Sequence, residues 1–197
     1  PIQWAVINGD AITGVTTMRM DTGIDTGDMI AKREVRIAED ETGGSLFDKL
    51  AEEGAALLIR TIPSIADGTA VYTKQPEESP TPYAAMISKK MGLMDFSKSA
   101  VELERLVRGL NPWPSAYTFL NGKTLKVWKC AVECAECGKE APGTIIGVDK
   151  SGIHVACGSD TLILKEVQLE GKKRMETDAF LRGYQVTAGT MLKDHKE

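Results

Sequence analysis

A chain of 197 residues, 42% hydrophobic and 26% charged, suits one ordinary domain or a truncated domain joined to a small complete one, and excludes wholesale disorder. Its apolar runs are short and broken by Lys, Glu or Gly, too short for a helix that crosses a bilayer, and no basic-then-apolar leader precedes Pro1. The net charge of −4 argues against nucleic acid on average, but residues 1–75 carry seven basic against twelve acidic side chains, whereas residues 85–130 carry eight against three. Screening confines each charge to about 10 Å, so the basic stretch can still attract a polyanion locally.

In chain order, residues 2–9 read as the end of a helix. Alternation then predicts strands over 15–20 and 28–37, joined by an acidic turn rich in Gly and Asp. Leu46, Leu50, Leu57, Leu58 and Ile62 fall at helical spacing behind Thr42 or Ser45, either of which can cap the helix. Three prolines among Glu and Ser mark residues 66–84 as linker by composition. Ser99-x-x-Glu102 is a capping box that opens a helix carrying Leu103, Leu106, Val107 and Leu110, and Asn111-Pro112-Trp113-Pro114 stops it.

The next sixty residues are strand-like. YTFL and TLKVW flank Asn121-Gly122, a strong hairpin signal; TIIGV and IHVAC flank DKSG; TLILKEVQL follows Gly158-Ser159-Asp160. Short strands at regular spacing suggest a small closed barrel, with a last helix near Thr177 carrying Phe180, Leu181 and Tyr184. Trp113, between prolines, and Trp128, alternating within a strand, are expected in the core rather than as stacking platforms for bases.

Two clusters invite chemistry. Cys130, Cys134, Cys137 and Cys157 number enough thiolates for zinc, but Cys130 and Cys157 occupy strand-like runs where small apolar residues belong, so no metal is expected. Asp21, Asp25 and Asp28 lack the alternating acidic pattern and distal Glu of a calcium loop. From the residues alone, a hairpin turn whose Asp and Gly meet backbone needs explains them better than a site does.

PIQ, NGD, TGVTTMRMD and DTGDM resemble the closing half of the active site in the folate-dependent formyltransferase family. LFDKLAEEGAALL, YAAMISKK, NPWPSAYTFLNG, KVWKCAV, APGTI, GIHVACG and VQLEGKKRM extend the resemblance towards the C-terminus, and GKKRM favours the branch that formylates initiator Met-tRNA. The resemblance implies the C-terminal part of a Rossmann-like formyltransferase domain over 1–72, a linker over 73–90 and an OB-like β-barrel that binds tRNA over 91–197, an α/β plus β architecture. It implies Asp25 as the catalytic carboxylate, Asp21, Gly23 and Ile24 against the cosubstrate 10-formyltetrahydrofolate, and Lys89, Lys90, Arg105, Arg108, Lys172 and Lys173 towards tRNA.

The family's Asn-x-His and its folate-carrying S-L-L-P loop have no match here. His154, in a strand, and His195, in a polar tail, do not replace them, so this chain by itself is expected to be inactive. A cytoplasmic protein, monomeric at full length and without membrane association, is also implied. Phe96 stands where the family often has Trp, and CAVECAECGKEAPG is richer in Cys than a plain hairpin tip. Two other readings stay open: a formyltransferase acting on a UDP-aminosugar, and a non-catalytic RNA-binding OB module.

Overall fold

The computed structural model describes residues 1–78, 81–134 and 140–196. Helix α1 (Ile2–Asn8) ends where Gly9 turns left-handed at φ 75°, and the Gly9 N–H closes onto the Val6 carbonyl at 3.0 Å. Strands β1 (Ile12–Met18) and β2 (Met29–Arg36) form an antiparallel pair in register from Ile12 opposite Arg36 to Met18 opposite Met29. β1 ends two residues earlier than alternation suggests. A bulge between Thr17 and Met18 breaks the ladder, and the Arg19 N–H turns to the Asp28 carbonyl at 2.9 Å.

Helix α2 (Gly43–Ala66) opens on a capping box in which Thr42 accepts from the Ser45 N–H and the Ser45 hydroxyl accepts from the Thr42 N–H. Leu46 and Leu50 bury against Val6 and Val35, forming a small core with the hairpin. Leu58 and Ile62, expected on the buried stripe, are 50% and 52% exposed. At about 100° per residue they stand one step round the helix from Leu57 and Thr61, which take the buried face.

The segment read as linker makes contacts near both ends. Thr73 and Met29 exchange backbone hydrogen bonds of 2.7 and 2.8 Å, adding a third extended stretch to the hairpin edge. Further on, the Trp4 indole donates to the Ala85 carbonyl at 2.7 Å. The linker tip at Ser79 and Pro80 lies outside the described residues.

A 3-10 turn (Lys89–Gly92) leads to helix α3 (Ala100–Gly109), whose Ser99–Glu102 capping box forms as the sequence predicts. Strands β3 (Ala116–Leu120), β4 (Lys123–Glu133), β5 (Ile145–Asp149), β6 (Gly152–Ala156), β7 (Thr161–Leu169) and β8 (Met175–Glu176) follow, then helix α4 (Thr177–Gly183). Asn121 at φ 48° and Gly122 at φ 73° make the tight β3–β4 hairpin that Asn-Gly encodes. Leu103 and Val107 of α3 pack with Leu120, Leu125, Ile153 and Leu164 from the strands.

This six-stranded antiparallel sheet runs in the order β3-β4-β7-β6-β5, with β8 on β7. The closed barrel expected from strand spacing is not what the ladders form: among the described residues, β3 and β5 remain two unjoined ends. An extended tail, rather than direct β3–β5 pairing, takes edge groups at both ends. The Ile145 N–H donates to Thr190 at 2.8 Å, the Leu192 N–H to Gly143 at 2.9 Å, and Phe119 and Lys193 exchange bonds of 3.0 and 3.1 Å. Edge N–H and C=O groups left open would template pairing with another chain, and this tail occupies them.

Candidate active site

The acidic turn between β1 and β2 is exposed up to Thr26; Gly27 is buried where a Cβ would run into the Arg19 carbonyl, and Asp28 is half-buried. Its neck is closed by the Arg19–Asp28 ion pair at 3.3 Å, and the Arg19 guanidinium lies 4.9 Å from the Tyr72 ring centre. Asp21 Oδ1 accepts from the Thr22 N–H at 2.7 Å, a local Asx bond. Gly23 fits because a side chain there would collide with Thr26. Ile24 and Met20 are 91% and 83% exposed, two apolar side chains presented beside three carboxylates.

Asp25 stands at the outer bend with φ 54°, exposed. Among the described residues its carboxylate has no hydrogen-bond or ion-pair partner, whereas its backbone carbonyl accepts from Gln75 Nε2 at 2.6 Å. The same amide nitrogen donates to Gly27 at 2.8 Å. Gln75 carries no signal in the sequence: it sits in a stretch whose composition reads as linker. An exposed, unengaged carboxylate on a fastened turn can accept a proton from a molecule seated against the loop.

The other basic candidates divide into two groups. Arg105 and Arg108, expected towards tRNA, bond to the N-terminal part of the chain. Arg108 grips Glu104 through two bonds of 2.5 and 3.0 Å and donates to the Glu41 carbonyl at 2.8 Å, while Arg105 reaches the Asn8 carbonyl at 3.5 Å. Both line a groove of about 700 Å³ with Arg36, Glu39 and Asp10. By contrast, Lys89 and Lys90 are exposed on the 3-10 turn, and Lys172 and Lys173 are exposed after β7.

Beside Lys172 lies an arrangement the sequence did not reveal. The Trp128 ring is flanked by Arg174 at 4.5 Å and Lys126 at 5.6 Å, and its indole donates to Gln168 at 3.2 Å. Gln168 in turn donates to the Lys172 carbonyl at 3.1 Å, and Glu166 grips Arg174 at 2.6 and 2.7 Å. That guanidinium holds the Glu166 carboxyl below the usual range. Trp128 is half-buried and Trp113 is 53% exposed, so neither is the core residue expected. Trp113 instead lines an apolar groove of about 500 Å³ with Ile2, Phe47, Ile87 and Pro112. Pro112 and Pro114 end α3 and turn its ring outward.

Among the described residues no His, Cys, Asp or Glu cluster has metal-binding geometry, and Cys137 lies outside them. Burial pushes the Cys130 thiol well up, with nearby Glu104 adding to the effect, so it is no ready thiolate. His154 does not simply alternate in its strand: it faces Asp149 at 3.2 Å and Glu133 at 3.4 Å, with the Ser151 hydroxyl at 3.0 Å. The Ser151 hydroxyl first, and then His154, hold the Asp149 carboxyl far below its ordinary range. Among the described residues no helix is long and apolar enough to cross a membrane.

The fold defines a class. It superposes on HypX from Aquifex aeolicus, solved in complex with tetrahydrofolic acid, with a TM-score of 0.64 at 17% identity over 91% of this chain and 32% of that one. It matches an N-formyltransferase from Helicobacter canadensis, solved with folinic acid and dTDP-3-aminofucose, at a TM-score of 0.63, 19% identity, 83% of this chain and 59% of that one. At such identities these likenesses speak for the fold alone. Residues 1–62 match the formyl transferase family model, and residues 86–185 match the model described as formyl transferase, C-terminal domain. The chain belongs to the formyl transferase family.

It is 60% identical over 190 residues to a methionyl-tRNA formyltransferase of Agathobacter rectalis, covering 96% of this chain and 61% of the relative. It is 45% identical to one of Acetivibrio thermocellus, covering 98% of this chain and 61% of the relative. The chain thus spans about three-fifths of the length of these relatives.

Proposed function

We propose that this chain is part of an enzyme that moves a formyl group from 10-formyltetrahydrofolate to the amino group of initiator Met-tRNA. The observation that carries the reading is 60% identity across 96% of the chain to a protein of that name, with the acidic loop and the C-terminal sheet both inside the matched region.

In this reading the cosubstrate supplies an activated formyl group. The amine forms its bond to the formyl carbon as that carbon's bond to the folate nitrogen breaks; the amine gives up one proton and the departing nitrogen gains one. In this role Asp25 holds or relays a proton near the attacking amine; what supports it is an exposed carboxylate on a loop whose backbone is tied by Gln75 and by the Arg19 N–H on the Asp28 carbonyl. Exposed Ile24 and Met20 suit one apolar wall for a flat ring system, with Asp21 and Gly23 beside them. Lys89, Lys90, Lys172 and Lys173 suit contacts to tRNA phosphates, which position the nucleic acid without reading its bases. We place these contacts on an OB-like surface over 91–197, with 1–72 and 73–90 as the catalytic part and its connection.

A second reading is transfer to a nucleotide-linked aminosugar, and the two are separated by experiment. Grafting residues 1–197 onto the remainder of the Agathobacter rectalis relative, and offering the chimera initiator Met-tRNA or a nucleotide-linked aminosugar with 10-formyltetrahydrofolate, separates the two. Formylated Met-tRNA with no formylated sugar supports the tRNA reading; the reverse overturns it.

A further inference from the structure

We infer that Gln75 is a positioning residue that fixes the backbone from which the Asp25 carboxylate projects, by holding the Asp25 carbonyl and, two residues on, the Gly27 carbonyl. This deepens the proposed function and rests on its assignment of Asp25. Gln75 lies 50 residues from Asp25 in sequence, and its two amide N–H groups are used on two loop carbonyls, Asp25 at 2.6 Å and Gly27 at 2.8 Å. Met18 Sδ, at the end of β1, lies 3.6 Å from the same nitrogen, so the side chain is seated between the strand end and the loop.

The clamp falls where the backbone needs it. Asp25 has φ 54°, a left-handed conformation uncommon for a residue with a Cβ and kept when its surroundings enforce it. Nothing else among the described residues bonds to the Asp25 carbonyl, and the carboxylate itself is unengaged. The clamp therefore sets the Cα–Cβ vector from which that carboxylate starts. Gln75 is in turn held in place because Thr73, two residues before it, is paired with Met29 at the edge of β2. Exposed turns without such ties sample several conformations, and a carboxylate misplaced by about 1 Å can cost on the order of a hundredfold in rate.

The test uses Gln75→Met, which keeps length and removes both donors, and Gln75→Glu, which presents an ionised acceptor to two carbonyls. In the 197-residue chain, amide resonances of residues 22–28 should shift and broaden in both variants, while those of the β3–β4 hairpin stay in place. In the chimera carrying the rest of the relative, kcat should fall roughly tenfold to a hundredfold with KM for Met-tRNA within about twofold. Unchanged loop resonances in both variants overturn the clamp. Shifted resonances with unchanged kcat, in a background where Asp25→Asn is impaired, overturn the positioning role. If Asp25→Asn is itself as active as the parent while both Gln75 variants disturb the loop, the clamp stands and the reading of Asp25 fails.

Discussion

Gln3 and Gly109 are 106 residues apart in the chain and meet at a 2.9 Å hydrogen bond, Gln3 Nε2 donating to the Gly109 carbonyl. The same nitrogen donates to the Trp113 carbonyl at 2.7 Å, so one carboxamide ties α1 to both ends of the turn that stops α3. The Gly44 N–H to the Asn111 carbonyl at 2.9 Å, and Arg108 to Glu41, complete the seam between the acidic hairpin and the sheet. Gln3→Ala leaves two carbonyls without this donor and should lower stability by about 1–2 kcal/mol in urea unfolding.

Backbone approach matters as much as side chains along that seam. A Cβ on Gly109 would press into Ile7 and the Gln3 carbonyl, and one on Gly43 would meet the Gly109 carbonyl. Gly109→Val should therefore cost about 1–3 kcal/mol by overpacking and lower the melting temperature, whereas the same change at Gly68, where nothing lies within 4 Å, meets no such wall. Gly68 still has φ 74°, so its penalty comes from backbone strain alone.

Acid should loosen the start of α2 through Glu41, whose carboxyl bonds Ala38, Ser45 and Lys49. Burial alone would raise its carboxyl, but the Ser45 hydroxyl, the Lys49 ammonium and the Ala38 N–H outweigh burial and hold it below the ordinary value. A carboxyl depressed on folding contributes stability that is fully present above its unfolded value, about 4.3, and is lost as pH falls through the folded one. Unfolding curves of the parent should thus lose stability below about pH 4.3, and Glu41→Gln should flatten that loss.

Binding through phosphates predicts a salt signature. Alanine at both Lys172 and Lys173 should weaken tRNA binding and reduce the steepness of log K against log salt by roughly one for each phosphate the two lysines neutralise, without changing which tRNA is preferred. Filter binding across a salt series measures it; a parallel line with no change of slope assigns these lysines to solvent.

Local signals carried much of the fold. The Ser99–Glu102 capping box and the Asn121-Gly122 hairpin act within a few residues, and each forms where the pattern places it. What the pattern could not carry was the pairing of distant segments. Arg105 and Arg108 look like surface cations in a basic stretch, yet they end at Asn8 and Glu41. Gln75 reads as linker and proves to be the loop's fastening. The tail that occupies both sheet ends has no periodicity of its own, only edge N–H and C=O groups to meet. For the candidate site, residues 21–28 were marked by Asp and Gly density, but their ties at Arg19, Tyr72 and Gln75 were visible only in three dimensions.

The carboxylate at position 25 bears the chemical assignment. In the chimera with the Agathobacter rectalis remainder, single-turnover formylation of initiator Met-tRNA by Asp25→Asn should be slower than the parent by roughly a hundredfold or more, with both substrates still bound. A variant that formylates at a rate within about twofold of the parent would contradict a proton-handling role for this side chain.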